Sequence, residues 1–193
     1  MISFDRNISN AGGKNKWDYS QKSQKSWFMM QQIVRKKKDI MRKMWNEAVE
    51  DGDSYEILHA SQTSSKFEKG LVFDTNTTTY YHYIVGYRKS DWKVGLVQID
   101  RELTQHTEPY FVDMSAVVGV NYHAKLKQAW LIYRKNYGDY GEQFNIDDTG
   151  SKTMAGITNT VQPEEREKFL DFLEELRSRL EKEGHKQEKW KRS

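Results

Sequence analysis

Five histidines are the chain's candidates for acid–base chemistry: His59, His82, His106, His123 and His185. An imidazole titrates near neutral pH. Two imidazoles facing one substrate, with a lysine or tyrosine nearby, would cleave RNA without a metal. His82 and His123 fall in segments with strand character and carry that reading, while His185 lies in the C-terminal tail. The plainer reading is a half-buried, hydrogen-bonded strand histidine, which is the commoner situation. Metal chemistry has little to build on. The chain contains no cysteine, no HExxH and no paired histidine spacing. The acidic stretch EDGDSYE, with Asp51 and Asp53, lacks the glycine position and closing glutamate of a calcium loop and reads as a helix stop. There is no nucleophile elbow and no dinucleotide fingerprint, and the GGK at Gly12–Lys14 lacks the rest of a phosphate loop. No metal and no cofactor are expected.

Two further constellations bear on binding. The run Arg35–Lys38, continued by Arg42 and Lys43, puts six basic residues within nine positions. On a helical wheel Arg35, Lys38 and Arg42 share one flank, and Lys36 and Lys43 the other. Such a helix can meet phosphates or an acidic protein, although charge runs more often keep a helix solvated. The second is TYYHYIVGYRKSDWK, Thr79 to Lys93. Strand alternation sends Tyr81, Tyr83, Val85 and Tyr87 one way, and Tyr80, His82, Ile84, Gly86 and Arg88 the other. An exposed tyrosine row beside Arg88 would stack nucleic-acid bases; a buried row would be core, the favoured reading for large aromatics.

These residues must be positioned by a modest core. Of 193 residues 36% are hydrophobic and 31% charged, while aromatic content reaches 13%, so rings are expected to supply much of the buried area. The net charge of +3, from 31 basic and 28 acidic residues, does not by itself argue for nucleic acid or membrane. No signal peptide and no run of about 20 apolar residues is present, so a cytoplasmic protein without a transmembrane segment is expected.

Residues 1–22, rich in Ser, Asn, Gly and Lys, read as a flexible arm. Residues 23–52 hold an amphipathic basic helix, its clearest part 26–50. Ser26 is its cap, Trp27, Met30, Val34, Met41, Trp45 and Ala48 its apolar stripe, and Gly52 its stop. Strands are expected near 55–60, 69–74, 78–89, 92–103, 109–121, 127–137, 142–147 and 153–160, separated by turn-forming segments such as KSD and DDTGS. A second helix spans 163–183, with Pro163 and three early glutamates at its start and a stripe of Phe169, Phe172, Leu173, Leu176 and Leu180. Residues 184–193 form a tail.

The order of elements from about Lys69 to Leu180 resembles a bacterial pleckstrin-homology-like (PH-like) domain. The resemblance rests on the meander YYHYIVGYRKSDWKVGLVQIDREL, the strands PYFVDMSAVVGV and KQAWLIYRKNY, and the closing VQPEEREKFLDFLEELRSRL. It implies an α+β fold over 55–183, an antiparallel barrel or sandwich closed by its C-terminal helix, with the N-terminal helix as an addition. It also implies a binding module rather than an enzyme. The expected function is a non-catalytic interaction or regulatory module with a protein partner. Trp27, Met30, Met41 and Trp45 would be its apolar anchors, and Arg35, Lys38 and Arg42 its electrostatic guides. The alternative is a nucleic-acid-binding protein, a metal-independent RNase or an inhibitor of a nucleoprotein complex, using Lys36, Lys43, Tyr81, Tyr83, Tyr87 and Arg88.

Overall fold

The computed structural model describes residues 16–69, 75–135, 138–146 and 161–187. As expected, the architecture is α+β: among the described residues there are seven antiparallel strands and two long helices, one of them C-terminal. The strands are β1 (Glu56–Glu68), β2 (Thr75–Arg88), β3 (Lys93–Ile99), β4 (Tyr110–Phe111), β5 (Val117–His123), β6 (Gln128–Lys135) and β7 (Gly138–Asn145). The helices are α1 (Lys16–Ala48) and α2 (Pro163–Lys182).

Of the barrel or sandwich expected, a closed barrel is not formed. The strands form one open sheet in the order β4-β3-β2-β1-β7-β6-β5. Its two halves, β1–β4 and β5–β7, are joined along a narrow seam: among the described residues, Ser61 opposite Asn145 is the one register pair between β1 and β7. Both halves nevertheless enclose a single core. Leu58, Val85 and Leu96 from the first half, Val120, Leu131 and Phe144 from the second, and the Phe169/Leu173/Leu176 stripe of α2 belong to one buried cluster.

β1 and β2 form a long hairpin in register from Glu56↔Tyr87 to Glu68↔Thr75. The expected strand at 55–60 therefore runs eight residues further, through a Ser/Thr-rich stretch whose outer part, Thr63 to Phe67, is exposed. Residues 70–74 and 153–160, both expected to be strands, lie outside the described residues. The strand expected at 92–103 stops at Ile99, because the Asp100 carboxylate accepts the Thr104 and Gln105 N–H groups and turns the chain. The strand expected at 109–121 is split for a similar reason. Asp113 accepts both the N–H and the hydroxyl of Ser115, which separates the two-residue β4 from β5.

The first helix begins ten residues earlier than Ser26, which is interior to it rather than its cap, and the arm assigned to 1–22 is helical from Lys16 onward. Alternation along β1–β3 gives the sheet two buried faces. On one, Leu58, Val85 and Tyr87 meet α2. On the other, Ile84, Val97 and Ile99 meet Met41, Met44, Trp45 and Val49 of α1. The central strands are thus sandwiched between the two helices. Among the described residues, no helix is long and apolar enough to cross a membrane.

Candidate functional site

The contact of α1 with the sheet depends on two glycines. Gly86 and Gly95 face each other across β2 and β3. Their missing side chains leave a slot, and the Trp45 indole lies in it. A Cβ on Gly86 would overlap the ring, and one on Gly95 would come within 3.0 Å of Trp45 Cη2 and 2.9 Å of Phe111 Cε1. Trp45 is fully buried and meets Tyr55 edge-on at 5.4 Å. Its indole N–H has no acceptor among the described residues, so the anchor is one of shape rather than of hydrogen bonding.

This placement corrects the assignment of Met41 and Trp45 as anchors for a partner. At 3% and 0% exposure they are held within the fold. Two of the three proposed electrostatic guides are also engaged internally. The Arg42 guanidinium donates to the Gly52 and Tyr55 carbonyls, tying down the turn after α1, and Lys38 pairs with Glu165 of α2 at 2.6 Å. Lys38, Arg42, Glu56, Glu165 and Lys168 line a cavity of about 270 Å³ between α1, β1 and the start of α2. Arg35 is exposed. The Trp27 and Met30 side chains lie outside the described residues.

The tyrosine row is mostly core. Tyr87 is buried between the rings of Phe169 and Phe172, and burial pushes its hydroxyl well above the usual range. Tyr83 packs half-buried against the same cluster, its hydroxyl also raised, first by burial and then by Glu142 and Tyr81. Tyr81 is half-buried. Arg88 makes a two-pronged pair with Asp91, donates to the Ser54 hydroxyl and lies over the Tyr55 ring at 4.5 Å. The hydrogen bonds from Arg88 hold the Asp91 carboxyl down at about 2. A stacking platform of Tyr83, Tyr87 and Arg88 is therefore not displayed, although Lys36 and Lys43 are exposed as a phosphate contact requires.

His82 and His123 do not meet. Three strands separate β2 from β5 in the sheet, and His123 accepts from the Leu126 N–H in its own turn. The partner of His82 is His59. The rings stack at 5.3 Å, with His59 Nε2 and His82 Nδ1 at 3.1 Å, and both residues are buried. Burial, then Arg101, pulls His82 below its usual range and keeps it neutral. Buried inside the sheet, the pair is not displayed to a substrate. Behind His59 the strand is completed by a side chain. Gln162, at 1% exposure, accepts the His59 N–H at 2.8 Å and donates to its carbonyl at 2.7 Å. Gln187 repeats the device on the sheet edge, accepting the Val120 N–H at 3.1 Å and donating to the Val118 carbonyl at 2.9 Å. Each glutamine stands in for a neighbouring strand. Among the described residues, no cluster of His, Asp and Glu could hold a metal ion.

What α1 leaves open is its outer flank. At 100° per residue, Met29, Ile33, Lys36, Ile40 and Lys43 fall on one stripe, to the side of the buried one. Met29 is 63% exposed and Ile33 54%, while Lys36 and Lys43 are exposed as well. Sequence reading placed the anchors one stripe away. The signal that distinguishes the two stripes is the Gly86/Gly95 pair, which marks Trp45 as the inward residue. Compared with known protein families, curated proteins and solved structures, the chain gives no match.

Proposed function

We propose that this chain is a non-catalytic interaction module on a PH-like frame, and that it binds a protein partner through the outer flank of α1. Support for the frame comes from the strand order, in which β1 joins a four-stranded half to a three-stranded half, and from the α2 stripe filling the core between them. The observation that carries the function is the exposure of Met29 and Ile33, about one helical turn apart, on a helix anchored by Trp45 roughly three to four and a half turns further on. Apolar side chains held outward on an anchored helix lose little conformational freedom on docking. The groups with acid–base or phosphate-binding chemistry, His82, Arg42 and Arg88, are meanwhile engaged within the fold.

Deleting the whole helix is not a clean test, because Met41, Met44 and Trp45 are core residues. The test is Met29→Asp with Ile33→Asp in the full chain, comparing proteins captured by crosslinking and affinity purification. The wild-type chain captures a discrete partner and the variant loses it at unchanged circular dichroism. A variant that keeps every partner disproves this interface.

A further inference from the structure

The outer side chains of α1 repeat in the pattern of a helix seam. Met29, Ile33, Lys36, Ile40, Lys43 and Glu47 alternate steps of four and three residues. At 100° per residue they span about 80° of arc, narrower than a core-facing stripe and matched to the seam of a helix pair. Ile33 and Ile40 hold one heptad position, and Met29, Lys36 and Lys43 the other. The two borders of this strip differ. Gln32, Asp39 and Asn46 lie on the solvent side, all exposed. On the other side Met44 is buried against the sheet, and Ile40 is partly buried with it. Glu47 closes the C-terminal end, where it pairs with Lys43 at 3.6 Å and meets His106, between β3 and β4, at 3.7 Å. From Met29 to Lys43 the seam runs about 21 Å, nearly four turns.

Charge decides what fits this strip. α1 carries nine basic and three acidic residues, a net of +6. Lys36 and Lys43 stand within the seam itself, both exposed. Lys43 keeps 78% of its side chain in solvent despite Glu47. A partner that covers Met29, Ile33 and Ile40 must also cover these two ammonium groups. An apolar partner would bury them unpaired, at a high cost. A helix with a carboxylate opposite each lysine removes that cost and fixes the register. A second α1 would set lysine against lysine. An anionic membrane would find Asp39 beside the seam and a lysine between its two isoleucines.

We propose that the outer flank of α1 pairs with an amphipathic α-helix of a partner protein, one that carries two acidic residues seven apart within an apolar heptad stripe. This rests on the reading of that flank as a docking surface, and adds the chemistry of its partner. Met29, Ile33 and Ile40 pack on the apolar stripe, and the acidic pair meets Lys36 and Lys43. The contact depends in part on charge, so salt weakens it.

The test is selection by the full chain from a displayed library of helices about 21 residues long, three heptads, with the seam positions varied among Leu, Ile, Glu and Lys. The expected binders carry Glu at two seam positions seven apart and Leu or Ile at the others. Their affinity falls about tenfold or more from about 50 mM to about 500 mM salt. Lys36→Glu with Lys43→Glu weakens these peptides about tenfold or more, and selection by that variant returns Lys at the same two positions. Met29→Asp with Ile33→Asp abolishes their binding. All four positions are exposed, and circular dichroism checks that the variants fold. Vesicles of phosphatidylserine and phosphatidylcholine, and single-stranded RNA, are offered in parallel. A library without binders, binders that lack the acidic pair or ignore the lysine reversal, or capture by vesicles or RNA that depends on these four residues overturns the acidic-helix partner. If the chain then still captures a cellular protein and loses it on Met29→Asp with Ile33→Asp, the docking surface stands and only the chemistry assigned to its partner falls.

Discussion

The two faces of β1–β3 are built on different plans. On the α2 face, among the described residues, 21 buried residues from six strands, two adjoining loops and a helix form one cluster, in which the α2 stripe belongs with residues of both halves of the sheet. On the α1 face the buried cluster has nine residues, and its attachment converges on Trp45 over two glycines. Distributed burial makes the first face the fold's own core. The second face is a lock with one large key, beside which a histidine pair occupies positions that aliphatics would fill in an ordinary core. The lesson concerns α1. Its inner stripe is fixed tightly enough to orient the helix, through contacts few enough that a single residue governs them.

The largest effects should separate these plans most sharply. Phe169→Ala is expected to cost about 3–5 kcal/mol in urea unfolding and to weaken hydrogen-exchange protection throughout the sheet. Trp45→Ala is expected to remove a similar amount of packing, with lost protection confined to α1 and the strands beneath it. Sheet-wide loss of protection in both variants would show that the faces form one cooperative unit and break the distinction.

Gly86→Ala should cost about 1–3 kcal/mol, because the added methyl group meets the indole. In a Trp45→Ala background the same methyl group should be close to neutral, so a double-mutant cycle must return a coupling energy of at least about 1 kcal/mol. Additive effects would refute the slot. Gln162→Ala leaves the buried N–H and carbonyl of His59 without their cap and should cost about 1–3 kcal/mol. Gln187→Ala acts at a part-buried edge that water can reach, so its loss should be smaller. Equal losses would contradict that difference in solvent access.

The smallest expected effect is with pH. His82 in the folded chain takes up its proton below the ordinary value of 6.5. Between the two values the unfolded chain binds more protons, so stability is full above the ordinary value and falls as pH drops below it. Chemical denaturation from about pH 7.5 to about pH 5.5 should show this decline, and His82→Gln should flatten it. An unchanged slope in the variant would remove His82 as its source.

The α2 face was legible because its signal is periodic: Phe and Leu recur at three and four residues from 169 to 180, ending at Gly184, which adopts φ 92°. The same kind of periodicity predicts a helix for α1, but not its inward direction. That depends on Gly86 and Gly95 standing opposite each other, which is a property of register and not of either strand alone. The histidine pair was hidden by the hairpin's length. His59 lies diagonal to His82 because His59 pairs with Ile84 and Ser61 with His82. The Ser/Thr-rich outer arms that set this register lack the alternating apolar pattern by which strands are recognised. Gln162 and Gln187 left no sequence trace either, since a glutamine that completes a strand is indistinguishable by type from one in solvent.

The narrow join between β1 and β7 also has a mechanical meaning. Hydrogen bonds along the β1–β2 hairpin would share a shearing load, since thirteen residue pairs lie in parallel. Across the join, among the described residues, one backbone pair links the two halves, and the core they share carries the rest of a transverse load. Pulled apart from attachment points on the two halves, the sheet should lose its backbone pairing at that join first. The hairpin and the β5–β7 meander would stay intact on either side of the break.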